Sequence, residues 1–182
     1  IDVSLENAEK GKDYSKKIVE KDISRGKTTK EKGEALLALI KPSTDYNDIK
    51  GADLVIEAVF ENPALKAEIT KKAEAVLGEN AVFGSNTSTL PITGLAEASV
   101  RPANFIGIHF FSPVERMGLV ELILGEKTTQ ETLAKAIDYV IKIRKTPIVV
   151  NDHRGFYTSR CFGTYTTEGI EMLMEGIAPA II

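Results

Sequence analysis

The chain has 182 residues, 43% of them hydrophobic and 27% charged, the composition of a folded domain with room for part of a second. A formal net charge of -3 argues against a general nucleic-acid binder, and no apolar run reaches the roughly 18 residues of a membrane span. The one cysteine, Cys161, leaves no internal disulfide and points to a reducing compartment, and with only two histidines no metal-ligand cluster is in view.

Ser4 is an N-cap for a polar helix running to about Ser24, with Ala8, Tyr14, Ile18, Val19 and Ile23 on one face and Arg25-Gly26-Lys27 as its stop. Thr29 caps a second helix carrying Ala35, Leu36, Leu37 and Leu39, followed by a short strand over 40–44 and a turn over 48–52. Asp53 to Phe60 is a nearly continuous apolar run of strand length, the mark of a central strand covered on both faces. Asn62-Pro63 opens a helix through Leu77, with Leu65, Ile69, Ala73, Val76 and Leu77 inward and Gly78 as its stop. A second buried strand covers 81–85 and ends in Asn86-Thr-Ser-Thr89; Pro91 then leads a short helix to Ala98. Residues 104–111 and 119–124 form two further strands, separated by Ser112-Pro113. Thr129 begins a helix with Leu133, Ile137, Val140, Ile141 and Ile143 facing inward, and 146–150 is the last strand. This alternation predicts an α/β fold with a mainly parallel sheet and helices on both faces. It ends at Asn151-Asp-His-Arg-Gly155, after which Phe156 to Met174 reads as one long, largely apolar helix, so a boundary falls near 151–155.

In open α/β sheets ligands gather beyond the carboxyl ends of the strands. There this sequence has Glu61-Asn62, Asn86-Thr-Ser88 and Ser112, residues that serve equally well as helix caps and turn formers. His109 lies near the end of one strand, and Glu121, twelve residues later, near the start of the next. A carboxylate beside an imidazole raises its basicity and fixes its orientation, as a general base near neutral pH requires. The competing reading is a satisfied core histidine with a glutamate that caps a loop. His153, beside Arg154-Gly155, reads as an exposed linker residue. Lys16, Lys17, Lys21, Arg25, Lys27, Lys30 and Lys32 form either a solvated face or a landing site for a phosphate-bearing substrate. No Gly-x-Gly-x-x-Gly or P-loop sequence occurs.

Asp53-Leu-Val-Ile-Glu-Ala-Val-Phe-Glu-Asn62, Ser85-Asn-Thr-Ser-Thr89, Gly107-Ile-His-Phe-Phe-Ser-Pro-Val114, Leu119-Val-Glu-Leu122 and Arg154-Gly-Phe-Tyr157 stand in an order that closely resembles the L-3-hydroxyacyl-CoA dehydrogenase family. The likeness covers nearly the whole chain. Its nearest form is the dehydrogenase part of multifunctional fatty-acid oxidation proteins, which also carry an enoyl-CoA hydratase. The resemblance implies a Rossmann-like NAD-binding domain over 1–151 and, over 152–182, the first helix of an all-α domain that completes the active site and supports a homodimer. It implies NAD-dependent oxidation of an L-3-hydroxyacyl-CoA to the 3-ketoacyl-CoA in β-oxidation, in a cytoplasmic bacterial protein with an acyl-CoA substrate.

In that family the histidine of the His-Phe-Phe motif is the general base, matching His109, and the glutamate that orients it matches Glu121. The serine of the Asn-Thr-Ser motif contacts substrate and nicotinamide and matches Ser88. NAD contacts fall on Glu61, Lys66, Asn86 and Ser112, with Ser112 standing where other branches have asparagine. Asp2 matches the acidic residue that holds the adenosine ribose, and Arg25 the CoA contact. Ser159 takes the place of an active-site asparagine of many members; being shorter, it would hydrogen-bond through water or cede the contact to another group. The family's glycine-rich phosphate loop lies upstream of Asp2, so the chain is expected to lack the first strands of the fold and to be cut after the first long C-terminal helix. Two other readings stay open: a non-catalytic, dimerising fragment without the phosphate loop, and a 3-hydroxybutyryl-CoA dehydrogenase of butyrate metabolism.

Overall fold

Two polar side chains set where the first helices begin. Ser4 Oγ accepts the Asn7 N–H at 3.2 Å ahead of α1 (Leu5–Ser24), and Thr29 Oγ1 accepts the Lys32 N–H at 3.3 Å ahead of α2 (Lys30–Ala38). A computed structural model describes all of residues 1–182 and divides them into a unit of residues 1–50 and a unit of residues 51–182. Within the first unit the two helices approach closely at Gly33, where a Cβ would stand 2.6 Å from Val19 Cγ1. Tyr14, Leu36 and Leu39 are exposed, so the apolar contact is narrower than the sequence pattern suggests. No strand forms over 40–44. Pro42 has no N–H to give to a ladder, and Ser43 Oγ is engaged by the Asp45 N–H at 3.0 Å and by Asp48 in a turn that leads into the 3-10 helix Tyr46–Ile49. The basic residues of this unit lie on solvated faces, with Lys10, Lys16 and Lys30 paired to Glu6, Glu20 and Glu34 one helical turn away.

The second unit runs β1 (Leu54–Glu57), α3 (Pro63–Glu74), β2 (Val82–Ser85), α4 (Ile92–Ala96), β3 (Phe105–Phe110), β4 (Leu119–Leu124), α5 (Gln130–Lys142), β5 (Thr146–Asn151) and α6 (Thr158–Met174). The sheet order is β1-β2-β3-β4-β5, parallel throughout except for antiparallel β3 and β4. That exception follows from the short connection over 111–118, because a parallel crossover needs a dozen or more residues. β1, expected to be central, lies at the sheet edge with Leu54, Val55 and Ile56 half-buried: it pairs with β2 alone, and the 1–50 unit contains no strand. Its ladder stops at Glu57, whose own carboxylate takes the Val59 N–H at 2.6 Å.

Alternation along the strands splits the sheet into two faces. On one, Val82, Ile106, Ile108, Val120 and Leu122 pack under Leu133, Ala136 and Val140 of α5, all buried. Ile141 and Ile143, expected to face inward, are exposed beside this stripe. On the other face Gly107 and Ile123 meet Ile92 at the start of α4: a Cβ at Gly107 would lie 2.7 Å from Ile92 Cγ1 and 2.9 Å from Ile123 Cβ. His109 and Glu121 belong to this second face, by the same alternation.

Gly107→Ala is expected to lower unfolding stability by about 1–3 kcal/mol through overpacking. Gly11→Ala, in α1 with open space around it, is expected to raise it by roughly 0.5–1 kcal/mol. Denaturant titration of the two variants checks both signs.

Candidate functional site

The antiparallel register of β3 and β4 puts His109 directly opposite Glu121, and the imidazole Nδ1 lies 2.7 Å from Glu121 Oε2. Glu121 is fully buried and His109 is 7% exposed. The rings of Phe111 and Phe156 flank the imidazole at centroid distances of 4.4 and 6.0 Å. Glu121 gathers three more donors from the start of α6. Its Oε1 accepts the N–H groups of Tyr157 at 3.2 Å and Thr158 at 2.8 Å, and its Oε2 accepts the Thr158 hydroxyl at 2.8 Å. Gly155 (φ 77) and Phe156 (φ 49) turn the chain through the left-handed region just before these donors. Tyr157, in the N-cap position of α6, makes no side-chain cap, so Glu121 caps the helix from a neighbouring strand.

Burial pushes the Glu121 carboxyl up, but the bonds from His109 and from the Thr158 N–H and hydroxyl outweigh it and hold the group below its ordinary 4.5. An ionised carboxylate only accepts, so the hydrogen-bond network assigns a proton to His109 Nδ1, and in the neutral ring Nε2 then carries the lone pair. A nitrogen so prepared can take a proton from a bound hydroxyl.

A second network lies beyond β1 and β2. Glu57 Oε1 accepts Lys66 Nζ at 2.8 Å and Oε2 accepts Ser85 Oγ at 2.8 Å. Lys66 is 1% exposed; its ammonium also reaches the carbonyl oxygens of Val59 and Asn86, each at 3.3 Å, and lies 3.8 Å from Glu61 Oε2. Lys66, Thr70, Ala73 and Glu74 make up the buried positions of α3, a largely polar stripe where the sequence pattern suggests an apolar one. Glu61 Oε1 accepts Thr87 Oγ1 at 2.8 Å, the Ser88 N–H at 2.8 Å and Ser88 Oγ at 3.1 Å. Burial raises the Glu61 carboxyl, while the Ser88 N–H, the Thr87 hydroxyl, the Lys66 charge and the Ser88 hydroxyl together bring it below 4.5. Asn86 Oδ1 accepts the Phe110 N–H at 3.0 Å, tying this loop to the end of β3, and Ser159 Oγ donates to the Ser88 carbonyl at 3.4 Å.

Of the residues singled out from the sequence, His109 and Glu121 thus form one network and Glu61, Lys66, Asn86 and Ser88 the other, with Ser159 linking α6 to the second. Ser112 is exposed on the loop after β3, outside both. Asp2 and Arg25 belong to the 1–50 unit: Asp2 Oδ1 accepts the Val3 N–H at 2.7 Å, and Arg25 is the C-cap of α1. His153 is exposed, in keeping with its linker reading. Glu57 and Thr158 join these networks without having been candidates in the sequence. A carboxylate inside the apolar run Leu54-Val-Ile-Glu-Ala-Val-Phe60 was a signal for Glu57, since a buried charge demands a partner. Thr158 carried no such signal.

Residues 1–153 match the family model of the 3-hydroxyacyl-CoA dehydrogenase NAD-binding domain. The chain belongs to the 3-hydroxyacyl-CoA dehydrogenase family. It is 47% identical over 163 residues to the fatty acid oxidation complex subunit alpha of Shewanella halifaxensis, covering 90% of this chain and 23% of that protein. It is 44% identical over 175 residues to the subunit of the same name from Shewanella baltica, covering 96% and 25%. Among solved structures, (S)-3-hydroxybutyryl-CoA dehydrogenase from Ralstonia eutropha superposes with a TM-score of 0.94 at 39% identity, over 98% of this chain and 63% of that one. The 3-hydroxybutyryl-CoA dehydrogenase of Escherichia coli K12 gives 0.93 at 30% identity, over 97% and 38%. The chain therefore spans about a quarter of the length of the curated relatives it matches.

NAD is the cofactor of this family's domain. The donor set beyond β1 and β2 fits it: the Glu61 side chain is 41% exposed and, with the half-buried Ser88 hydroxyl, offers the acceptor and donor groups that ribose hydroxyls and a carboxamide require. No helix is long and apolar enough to cross a membrane.

Because the Glu121 and Glu61 carboxyls are lowered in the folded state, the stability they contribute is full above their unfolded value and is lost as pH falls through the folded ones. The denaturant midpoint is expected to fall steadily on acidification below about pH 5, and less steeply in Glu121→Gln. Lys66→Met strands the buried Glu57 and is expected to cost about 3–5 kcal/mol. Adding Glu57→Leu should recover most of that loss in the same measurement.

Proposed function

We propose that the full protein oxidises an L-3-hydroxyacyl-CoA to the 3-ketoacyl-CoA in fatty-acid oxidation, with His109 as general base and Glu121 as the carboxylate that orients it. The observation that carries this reading is the 2.7 Å bond between Nδ1 and a fully buried carboxylate in a chain whose family uses NAD. NAD, when bound, takes the hydride from C3 of the substrate. As the C3 hydroxyl loses its proton, the lone pair on His109 Nε2 is placed to receive that proton. The imidazolium that forms is stabilised by Glu121, which stays ionised under four hydrogen bonds. In the reverse direction the imidazolium donates to the 3-keto oxygen.

In this reading Ser88 and Ser159 bind and orient the substrate around the reacting carbon. Glu61, Lys66, Asn86, Ser88 and Ser112 hold the cofactor, Lys66 from a buried position 3.8 Å from Glu61, while Asp2 holds the adenosine ribose and Arg25 contacts CoA. The reading divides the chain into a cofactor domain over 1–151 and the first helix of a helical domain over 152–182. It extends to a homodimeric, cytoplasmic bacterial protein with an enoyl-CoA hydratase fused in the same polypeptide. A second reading, a short-chain enzyme acting on 3-hydroxybutyryl-CoA, draws support from the likeness to the Ralstonia eutropha enzyme. It uses the same residues, and rates measured against acyl chain length separate the two.

His109→Ala in the full-length protein is expected to lower kcat for NADH formation from a 3-hydroxyacyl-CoA by about 100- to 10,000-fold, with the far-ultraviolet circular dichroism unchanged. Undiminished turnover in that variant would sink the proposal.

A further inference from the structure

We propose that the Thr158 hydroxyl is a positioning group that sets the basicity of His109 through the oxygen the two share. His109 Nδ1 and Thr158 Oγ1 both meet Glu121 Oε2, at 2.7 and 2.8 Å, while Oε1 is occupied by main-chain N–H groups alone. The two oxygens therefore have different tasks. Oε1 fastens the start of α6, and Oε2 divides its negative charge between the imidazole and one hydroxyl.

A donor on a carboxylate oxygen withdraws charge from it and weakens its hold on any other donor there. The Thr158 hydroxyl thus moderates how strongly Glu121 stabilises the protonated imidazole. It also fixes Oε2 in space, so that the ring is held at one angle. The groups facing the pair are the Phe111 ring from the loop after β3, and the Phe156 ring, the Tyr157 N–H and Thr158 from the chain entering α6. The threonine is free for this task because the hydroxyl of the first residue of a helix has no carbonyl of a preceding turn to bond.

The inference deepens the reading of His109 as the base, and rests on it for its consequence in catalysis. Removing the hydroxyl leaves Oε2 to the imidazole alone, so the protonated ring gains stability. Proton uptake by His109 should then occur at higher pH than in the unaltered protein. Thr158→Val keeps the shape and both main-chain N–H bonds; Thr158→Ala removes the same hydroxyl with a smaller side chain; Thr158→Ser retains it.

The test has two arms. In the first, proton NMR titration of the 182-residue chain follows the imidazole, with His153→Gln assigning the two histidines. An upward move of the His109 midpoint in Thr158→Val and Thr158→Ala, reversed in Thr158→Ser, supports the proposal; no move, or a downward one, overturns it. In the second, the pH profile of kcat for the full-length protein should show its acid limb displaced in the same direction, with KM for NAD unchanged. A shifted midpoint in an enzyme that does not oxidise 3-hydroxyacyl-CoA would overturn the proposed function and leave the role of the hydroxyl standing. An active enzyme with an unshifted midpoint would do the reverse.

Discussion

A carboxylate with no access to water must be surrounded by donors, and Glu121 obtains its four from an imidazole across the sheet and from the opening residues of a helix. Everything distinctive about this site depends on that arrangement. The antiparallel pairing of β3 and β4 supplies the first donor, because only that register sets position 109 against position 121. The left-handed turn at Gly155 and Phe156 leads into the others. One side chain thereby secures the helix that follows the sheet and holds the His109 ring.

The Glu57 and Lys66 pair solves the same problem at the other end of the sheet. Lys66 directs three protein oxygens at its ammonium, two of them main-chain carbonyls from loops that follow neighbouring strands. A buried ion pair contributes little net stability compared with an apolar replacement, but it fixes geometry, and here it braces the segment on which Glu61 and Ser88 stand. Polar residues buried on α3 are thus the underside of a loop scaffold.

Much of the fold could be read in advance. The caps at Ser4, Thr29, Asn62 and Thr129 are each filled by the side chain the sequence offers, and the apolar runs at 82–85, 105–110 and 119–124 are strands. Hydrophobic pattern was less reliable at the ends of helices, where Ile141 and Ile143 complete an apolar run and yet face solvent. The strand expected over 40–44 failed because Pro42 has no N–H for a ladder and Ser43 is drawn into a turn with Asp45 and Asp48. Spacing alone left His109 and Glu121 undecided between core and catalysis, since a gap of twelve residues fits many registers. Resemblance supplied their roles, but not Thr158, whose hydroxyl acquires meaning only when residue 121 lies beside it.

The donors around Glu121 also determine what evolution is free to vary. Tyr157 gives only a main-chain N–H, a group that every amino acid except proline possesses, so its phenol is an exposed surface feature that can drift. Thr158 gives an N–H and a hydroxyl, and the second is available from only a few side chains. Adjacent positions touching the same carboxylate therefore face unequal demands: one excludes a single residue type, while the other distinguishes a hydroxyl from a methyl group of the same size.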